Sequence, residues 1–204
     1  MSIELEGLPL LIDHPEEVLV EKDEEGVLER SYLEKEGRFH GEFVVFFPSG
    51  GIKGRSFYKE GSLHGPSVFY SQEGTILSSS TFYEGSADGE TRQWYLSGSL
   101  YATLQYQKGV LHGRQQYFYE DGTLKTELFY ENGLLHGLVN LYFESGALKR
   151  RCEFCFGVKT GFDVVQSEQG TILDEGEFKE GRPVGIHRRY YLTGDLREEI
   201  QHER

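Results

Sequence analysis

The stretch YENGLLHGLVNLYFESGALK, residues 130–149, holds three glycines set between aromatic and apolar runs, and its spacing recurs through the chain. Glycines fall at 37, 61, 85, 109, 133, 157 and 181, a constant step of 24. A second set at 41, 65, 89, 113, 137, 161 and 185 keeps that step, as does a third at 26, 50, 74, 98, 122, 146, 170 and 194. Two residues beyond each glycine of the third set stands an aliphatic residue: Leu28, Ile52, Ile76, Leu100, Leu124, Leu148, Ile172 and Leu196. Twenty-two glycines in register without an insertion define a repeat, and a fixed period of this length is the signature of a stacked array.

Each unit reads as a β-hairpin. In GPSVFYSQEGTILSSSTFYEG (65–85), a strand near 66–71 meets a tight turn at Glu73-Gly74, and a second strand follows near 76–82. Gly74, and Gly146 in the opening stretch, supply the positive φ that such turns need. Gly61 and Gly65, like Gly133 and Gly137, bracket looser connections such as NGLLHG between hairpins. The second strand alternates, with Ile76, Ser78, Ser80 and Phe82 on one side and mostly polar residues between them in the other units; period-two alternation marks a half-buried strand. If Tyr95 faces Leu100 across its turn, the row Phe47, Tyr95, Tyr119, Phe143 and Tyr191 shares the apolar face. The neighbouring row, Phe46, Tyr70, Trp94, Phe118, Tyr142 and Tyr190, then points to the more polar one.

The expected fold is all-β: an elongated antiparallel hairpin stack forming a single-layer repeat sheet of about 16 short strands, one hairpin per repeat, roughly 70 Å long. Residues 1–17 are read as an N-terminal cap, 18–200 as the array (a degenerate first unit over 18–36, seven units from 37) and 201–204 as a polar tail. Helix is absent or confined to the ends, since no 3.6-residue periodicity survives between turns.

The pattern Tyr-x-x-Gly-x-Leu-His-Gly, an aromatic pair and x-Gly-x-Leu, in YKEGSLHGPSVFYSQEGTIL and YENGLLHGLVNLYFESGALK, resembles the MORN (membrane occupation and recognition nexus) repeat in its longer bacterial variant. That resemblance implies a hairpin stack used as a binding or scaffolding surface, and extends to lipid binding and to an antitoxin-like partnership with another protein.

Charge narrows the partners. Of the net −13, residues 1–36 carry −9 (12 acids, 3 bases) and the remainder −4. An acidic head on a near-balanced array disfavours nucleic acid and anionic membranes. The opening MSIELEGLPLLIDHPEE has no basic n-region, and the longest apolar runs fall short of a span. With two cysteines, a reducing cytoplasmic setting is expected, or export without a leader.

No catalytic constellation is present: the nucleophile elbow, the phosphate loop and the H-E-x-x-H signature are all missing, and no cofactor is expected. His40, His64, Asp88, His112 and His136 occupy one repeat position, but neighbours lie two strands, about 9.5 Å, apart and project in parallel. A zinc ion needs its ligands at about 2.0–2.3 Å, so this row is read as turn residues bonding their own loops, and no metal is expected. The C-x-x-C at Cys152 and Cys155 lies on a strand, where residues three apart diverge; Cys152 takes the apolar slot of Leu104 and Leu128. The binding candidates are therefore Phe46, Tyr70, Trp94, Phe118, Tyr142 and Tyr190, a row broken at Gln166. Aromatics at regular spacing make amphipathic contacts at low entropic cost. The expected role is a non-enzymatic protein-interaction scaffold for a protein or peptide partner, with self-association through a sheet edge. Attachment to a membrane surface or lipid headgroup is the alternative.

Overall fold

The computed structural model describes residues 17–203; the expected cap, 1–17, lies outside the described residues but for Glu17. Over this span the chain is all β, with nineteen strand segments in one antiparallel sheet and no helix among the described residues. Hydrogen-bonded neighbours follow chain order. At one edge Val18–Lys22 pairs with Leu28–Lys35, and at the other Arg182–Tyr190 pairs with Leu196–His202. Three strands are each interrupted by one residue, at Asp88, His112 and His136; joining them brings nineteen segments to the sixteen expected.

The two kinds of turn are the reverse of the expectation. The tight turn lies at Glu60-Gly61, between the paired residues Lys59 and Ser62. Both central residues are left-handed, with φ of 50° and 84°, which is the type I′ geometry that matches strand twist. The connection at Glu73-Gly74 is wider. Ser71 donates its N–H to the Thr75 carbonyl at 2.8 Å, and Gly74 donates to the Ser71 carbonyl at 3.0 Å. In this unit the His-Gly pair lies within a strand. Ser62–Tyr70 runs straight through His64 and Gly65, and the register moves from Tyr58↔Leu63 to Ser56↔Ser67. The second strand thus holds two extra residues, a bulge of the kind that bends a strand and sharpens its twist.

Units are tied through these turns. Gly61 donates to the Phe39 carbonyl at 2.9 Å, and the same bond recurs from Gly85 to Leu63, Gly109 to Ala87, Gly133 to Leu111, Gly157 to Leu135 and Gly181 to Lys159. Each hairpin is therefore fastened to the one before it, as in a quasi-one-dimensional array.

Cross-strand partners share a face, so the register sorts the side chains. One row crosses the sheet as Tyr32, Phe43, Ser56, Ser67, Ser80, then Thr91, Leu104, Gln115 and Leu128, and finally Val139, Cys152, Asp163, Gly176, His187 and Ile200. This row holds most of the buried side chains: Ser67, Thr91, Leu104, Gln115, Val139, Cys152 and Asp163 are all buried, Gln115 completely. Towards the type I′ turns it is flanked on the same face by Tyr58, Phe82, Tyr106, Tyr130, Phe154 and Phe178. We call this the inner face. A single sheet buries little beyond that line: among the described residues Val44 is the one buried hydrophobic on the outer face.

Candidate interaction face

The expected facing of Tyr95 and Leu100 is not formed. Trp94 pairs with Leu100 and Gln93 with Ala102, leaving Tyr101 as an extra residue. The same shift puts Phe46 opposite Ile52, Tyr70 opposite Ile76, Phe118 opposite Leu124, Tyr142 opposite Leu148 and Tyr190 opposite Leu196. A classic bulge aims two successive side chains to one side. Tyr101 and Ala102 both turn to the inner face, where the Tyr101 ring meets Tyr95 at 5.2 Å and Tyr117 at 5.9 Å. Leu100 is left on the outer face beside Trp94.

The correction separates the two aromatic rows by role. The row of Tyr95 and Tyr119 is structural. Their hydroxyls donate to the carbonyls of Phe118 and Tyr142 in the following unit at 2.8 and 2.9 Å, and burial pushes the Tyr95 phenol up. At the same position Ser71 and Ser167 accept from N–H groups of their own turns. Lys125 and Lys149 lie over the rings of Tyr119 and Phe143. The candidate row is different. Phe46, Tyr70, Trp94, Phe118, Tyr142 and Tyr190 are all half-buried on the outer face, alternating with the aliphatic residues of the second strands. Tyr190 alone among them has a side-chain hydrogen bond, donating to Glu175 Oε1 at 2.6 Å.

Charges near this stripe are unevenly balanced. The next outer row carries Arg55, Arg92 and Arg188, held by Glu42 at 3.0 Å, Glu90 at 2.6 Å and Glu199 at 2.9 Å, and Arg151, which donates to Asn140 Oδ1 at 3.1 Å. Beyond the stripe on its other side are the wide turns. From 47 to 195 they hold Glu73, Glu120, Asp121, Glu144, Glu168 and Asp195, and no Lys or Arg.

The histidines do not converge, and against the expectation above His112 and His136 bond the next unit rather than their own loops. His112 Nδ1 accepts from the Asn132 N–H at 3.5 Å and His136 Nδ1 from the Phe156 N–H at 3.4 Å. The His64 ring lies 5.0 Å from Tyr83, and His136 lies 4.5 Å from Phe156. At 64, 112 and 136 the position thus packs a type I′ turn onto the preceding strand, a contact invisible without the stacking. Among the described residues no three His, Cys, Asp or Glu side chains gather as metal ligands. Cys152 is buried and Cys155 exposed, both free, and burial pushes the Cys152 thiol above its ordinary value.

One constellation was not anticipated. On the inner face Asp163, 5% exposed, accepts from Arg150 Nε and a terminal guanidinium nitrogen at 2.8 and 2.6 Å, and from Lys159. Burial raises the Asp163 carboxyl, but these hydrogen bonds outweigh it and hold the group below its ordinary value. The signal was available: stepping by 24 from Ser67 through Thr91, Gln115 and Val139 arrives at Asp163.

A single-layer sheet of stacked hairpins, tied turn to strand at every step, defines a β-hairpin repeat protein. Residues 39–60, 87–108 and 111–132 match the MORN repeat variant. The chain thus carries repeats of the MORN type in these three segments. Such repeats are generally associated with protein or membrane binding, and an all-β repeat fold of this family is generally non-catalytic. No curated protein matches the chain. Among the described residues no helix is long and apolar enough to cross a membrane.

Proposed function

We propose that this protein is a non-enzymatic scaffold that presents its outer aromatic–aliphatic stripe to a protein or peptide partner. The observation that carries the reading is the register that sets Trp94 beside Leu100 and repeats in the neighbouring units. It lines up large half-buried side chains on a face with no second layer, and Tyr70, Trp94 and Tyr142 make no side-chain hydrogen bond that would give them a structural task. Aromatic anchors of this kind dominate interface energetics. A multi-unit stripe sums many modest contacts without chemistry at any one.

The test is an affinity capture from native lysate with wild type and with a Tyr70→Ser, Trp94→Ser, Phe118→Ser variant, both first shown to keep the same far-ultraviolet circular dichroism. Loss of specific partners from the variant is expected. Recovery of the same partners in equal amount by both would end the reading.

A further inference from the structure

We propose that the occupant of the outer stripe is a proline-rich segment in the polyproline II conformation, carrying Lys or Arg, laid across the strands. This rests on the stripe being a binding face and adds the chemistry of its ligand. The argument begins with length. Successive aromatics of the row are two strands apart, about 9.5 Å. A polyproline II helix has three residues per turn and rises about 3.1 Å per residue, so one side of it returns every 9.3 Å or so.

Over the unbroken run Phe46, Tyr70, Trp94, Phe118 and Tyr142, four intervals span about 38 Å, and twelve polyproline II residues cover about 37 Å. Competing conformations do not keep step. An α-helical heptad advances about 10.5 Å, so it overruns the same four intervals by about 4 Å. A β-strand returns a side chain to one face about every 6.7 Å, and its third residue points away. Aromatic-lined surfaces take proline-rich chains because the conformation is preformed and little entropy is lost on docking.

Charge supplies the second half. The wide turns that border the stripe contain Glu73, Glu120, Asp121, Glu144 and Glu168 with no base among them, and these acids are exposed. On the opposite border Arg55, Arg92 and Arg188 have carboxylate partners, and Arg151 donates to the amide oxygen of Asn140 at 3.1 Å. A bound chain with one residue per turn directed at the wide turns therefore meets negative charge at three of the five units of the run, those of Tyr70, Phe118 and Tyr142. Lys or Arg at every third position answers it.

The probe is the peptide (Pro-Pro-Lys)5, compared with (Gly-Gly-Lys)5, which has the same charge and no preformed helix. Each is titrated into the intact chain while the emission of Trp94, the one tryptophan, is followed. The proline peptide is expected to bind at least about tenfold more tightly and to shift Trp94 emission, because ordering the glycine chain costs far more entropy. Affinity should rise with each added Pro-Pro-Lys triplet and level off once the aromatic run is covered. Glu120→Gln, Asp121→Asn, Glu144→Gln, changed at exposed turn positions that leave the fold alone, should weaken binding at least about fivefold at low salt. Equal affinity for the two peptides, or an unmoved Trp94, overturns the proposal.

Selection of random twelve-residue peptides on wild type, screened against Trp94→Ser, separates this failure from that of the face itself. A basic proline-rich consensus supports the assignment. A Trp94-dependent consensus without proline overturns the ligand chemistry but keeps the face, and no Trp94-dependent sequence overturns both.

Discussion

The same inner row is built in two ways along the array. From Ser56 to Val139 it is neutral. Ser56 and Ser67 share a hydroxyl–hydroxyl hydrogen bond of 2.7 Å, Thr91 donates to Ser80 at 3.0 Å, and Leu104 and Val139 are simply buried. Beyond Cys152 the row turns ionic, with Asp163 under Arg150 and Lys159, and Arg189 bridging Asp174 at 3.1 Å and Glu198 at 2.8 Å beside it. At Gly176 there is no side chain, and the His187 ring takes the space; an added Cβ would meet it at 2.3 Å. The glycine lattice fixes the backbone, so each row position offers a set volume and depth. What fills it must satisfy its own hydrogen bonds, and neutral and ionic solutions both do so.

The two solutions should fail differently, and the largest failure belongs to the neutral half. Gln115 is wholly buried. Its Oε1 accepts from the Gln105 N–H at 2.9 Å, and its Nε2 donates to the carbonyls of Gln105 and Gly113 at 3.1 and 3.2 Å. Gln115→Ala strips partners from buried backbone groups at the bulge and should cost about 3 kcal/mol, against about 1 for an ordinary hydrogen bond. Arrays of this kind need not melt in one step, so the loss is read by native-state hydrogen exchange of amides 100–130. Unchanged protection there would mean water replaces the side chain at no cost.

In the ionic half, Asp163→Ala should cost about 2–3 kcal/mol, at or below the low end for a broken buried pair because Arg150 can turn to solvent. The pH dependence follows. The folded carboxyl titrates below its unfolded counterpart, whose ordinary value is 3.8. Its contribution is therefore present above that value and is lost as pH falls through the folded pKa. Amides of 148–202 should lose protection below about pH 4 before those of 52–104 do, and Asp163→Ala should abolish that difference. Equal acid sensitivity of both halves in wild type would remove the distinction. A smaller effect sharpens it: Ser56→Ala should cost about 1 kcal/mol, while Ser56→Ala with Ser67→Ala should cost less than twice that, since no polar partner is left alone.

Much of this architecture was legible in the sequence because glycine spacing sets it; the step of 24 carried the hairpins, the strand count and the open sheet. The turns were inverted because both connections end in x-Gly. What distinguishes them is the left-handed residue before glycine, and Glu36, Glu60, Glu84 and Glu180 disguise what Asn132-Gly133 states openly. The second bulge was hidden for another reason. In one unit Leu100, Tyr101 and Ala102 are all non-charged, and in others the charged extra residue, such as Lys125 between Leu124 and Thr126, falls where a regular alternation also expects a polar side chain. The row Phe46 to Tyr190 was nonetheless picked out correctly as lying opposite the row of Tyr95, while its aliphatic neighbours were placed on the wrong side. Asp163 was readable by register alone, yet its partners Arg150 and Lys159 sit at positions occupied elsewhere by Thr126 and Leu135, and only the pairing brings them together.

The boundary between the two halves falls at the turn Phe156-Gly157, and it supplies the smallest and most delicate test. Phe156 has φ of 46°, a left-handed conformation that costs an ordinary residue about 1–2 kcal/mol, whereas Asn tolerates it. Half exposed, Phe156 recovers part of that cost by lying 4.5 Å from the His136 ring, a contact worth about 0.5–1 kcal/mol. Phe156→Asn should therefore stabilise the junction by about 0.5 kcal/mol, visible as slower exchange of the Gly157 amide, which donates to Leu135. The reverse exchange one unit earlier, Asn132→Phe, should destabilise its turn by a similar amount, because His112 stands there as His136 does here. If instead Phe156→Asn destabilises and Asn132→Phe stabilises, the aromatic contact outweighs the backbone strain, and the junction is held by its side chains rather than by the turn.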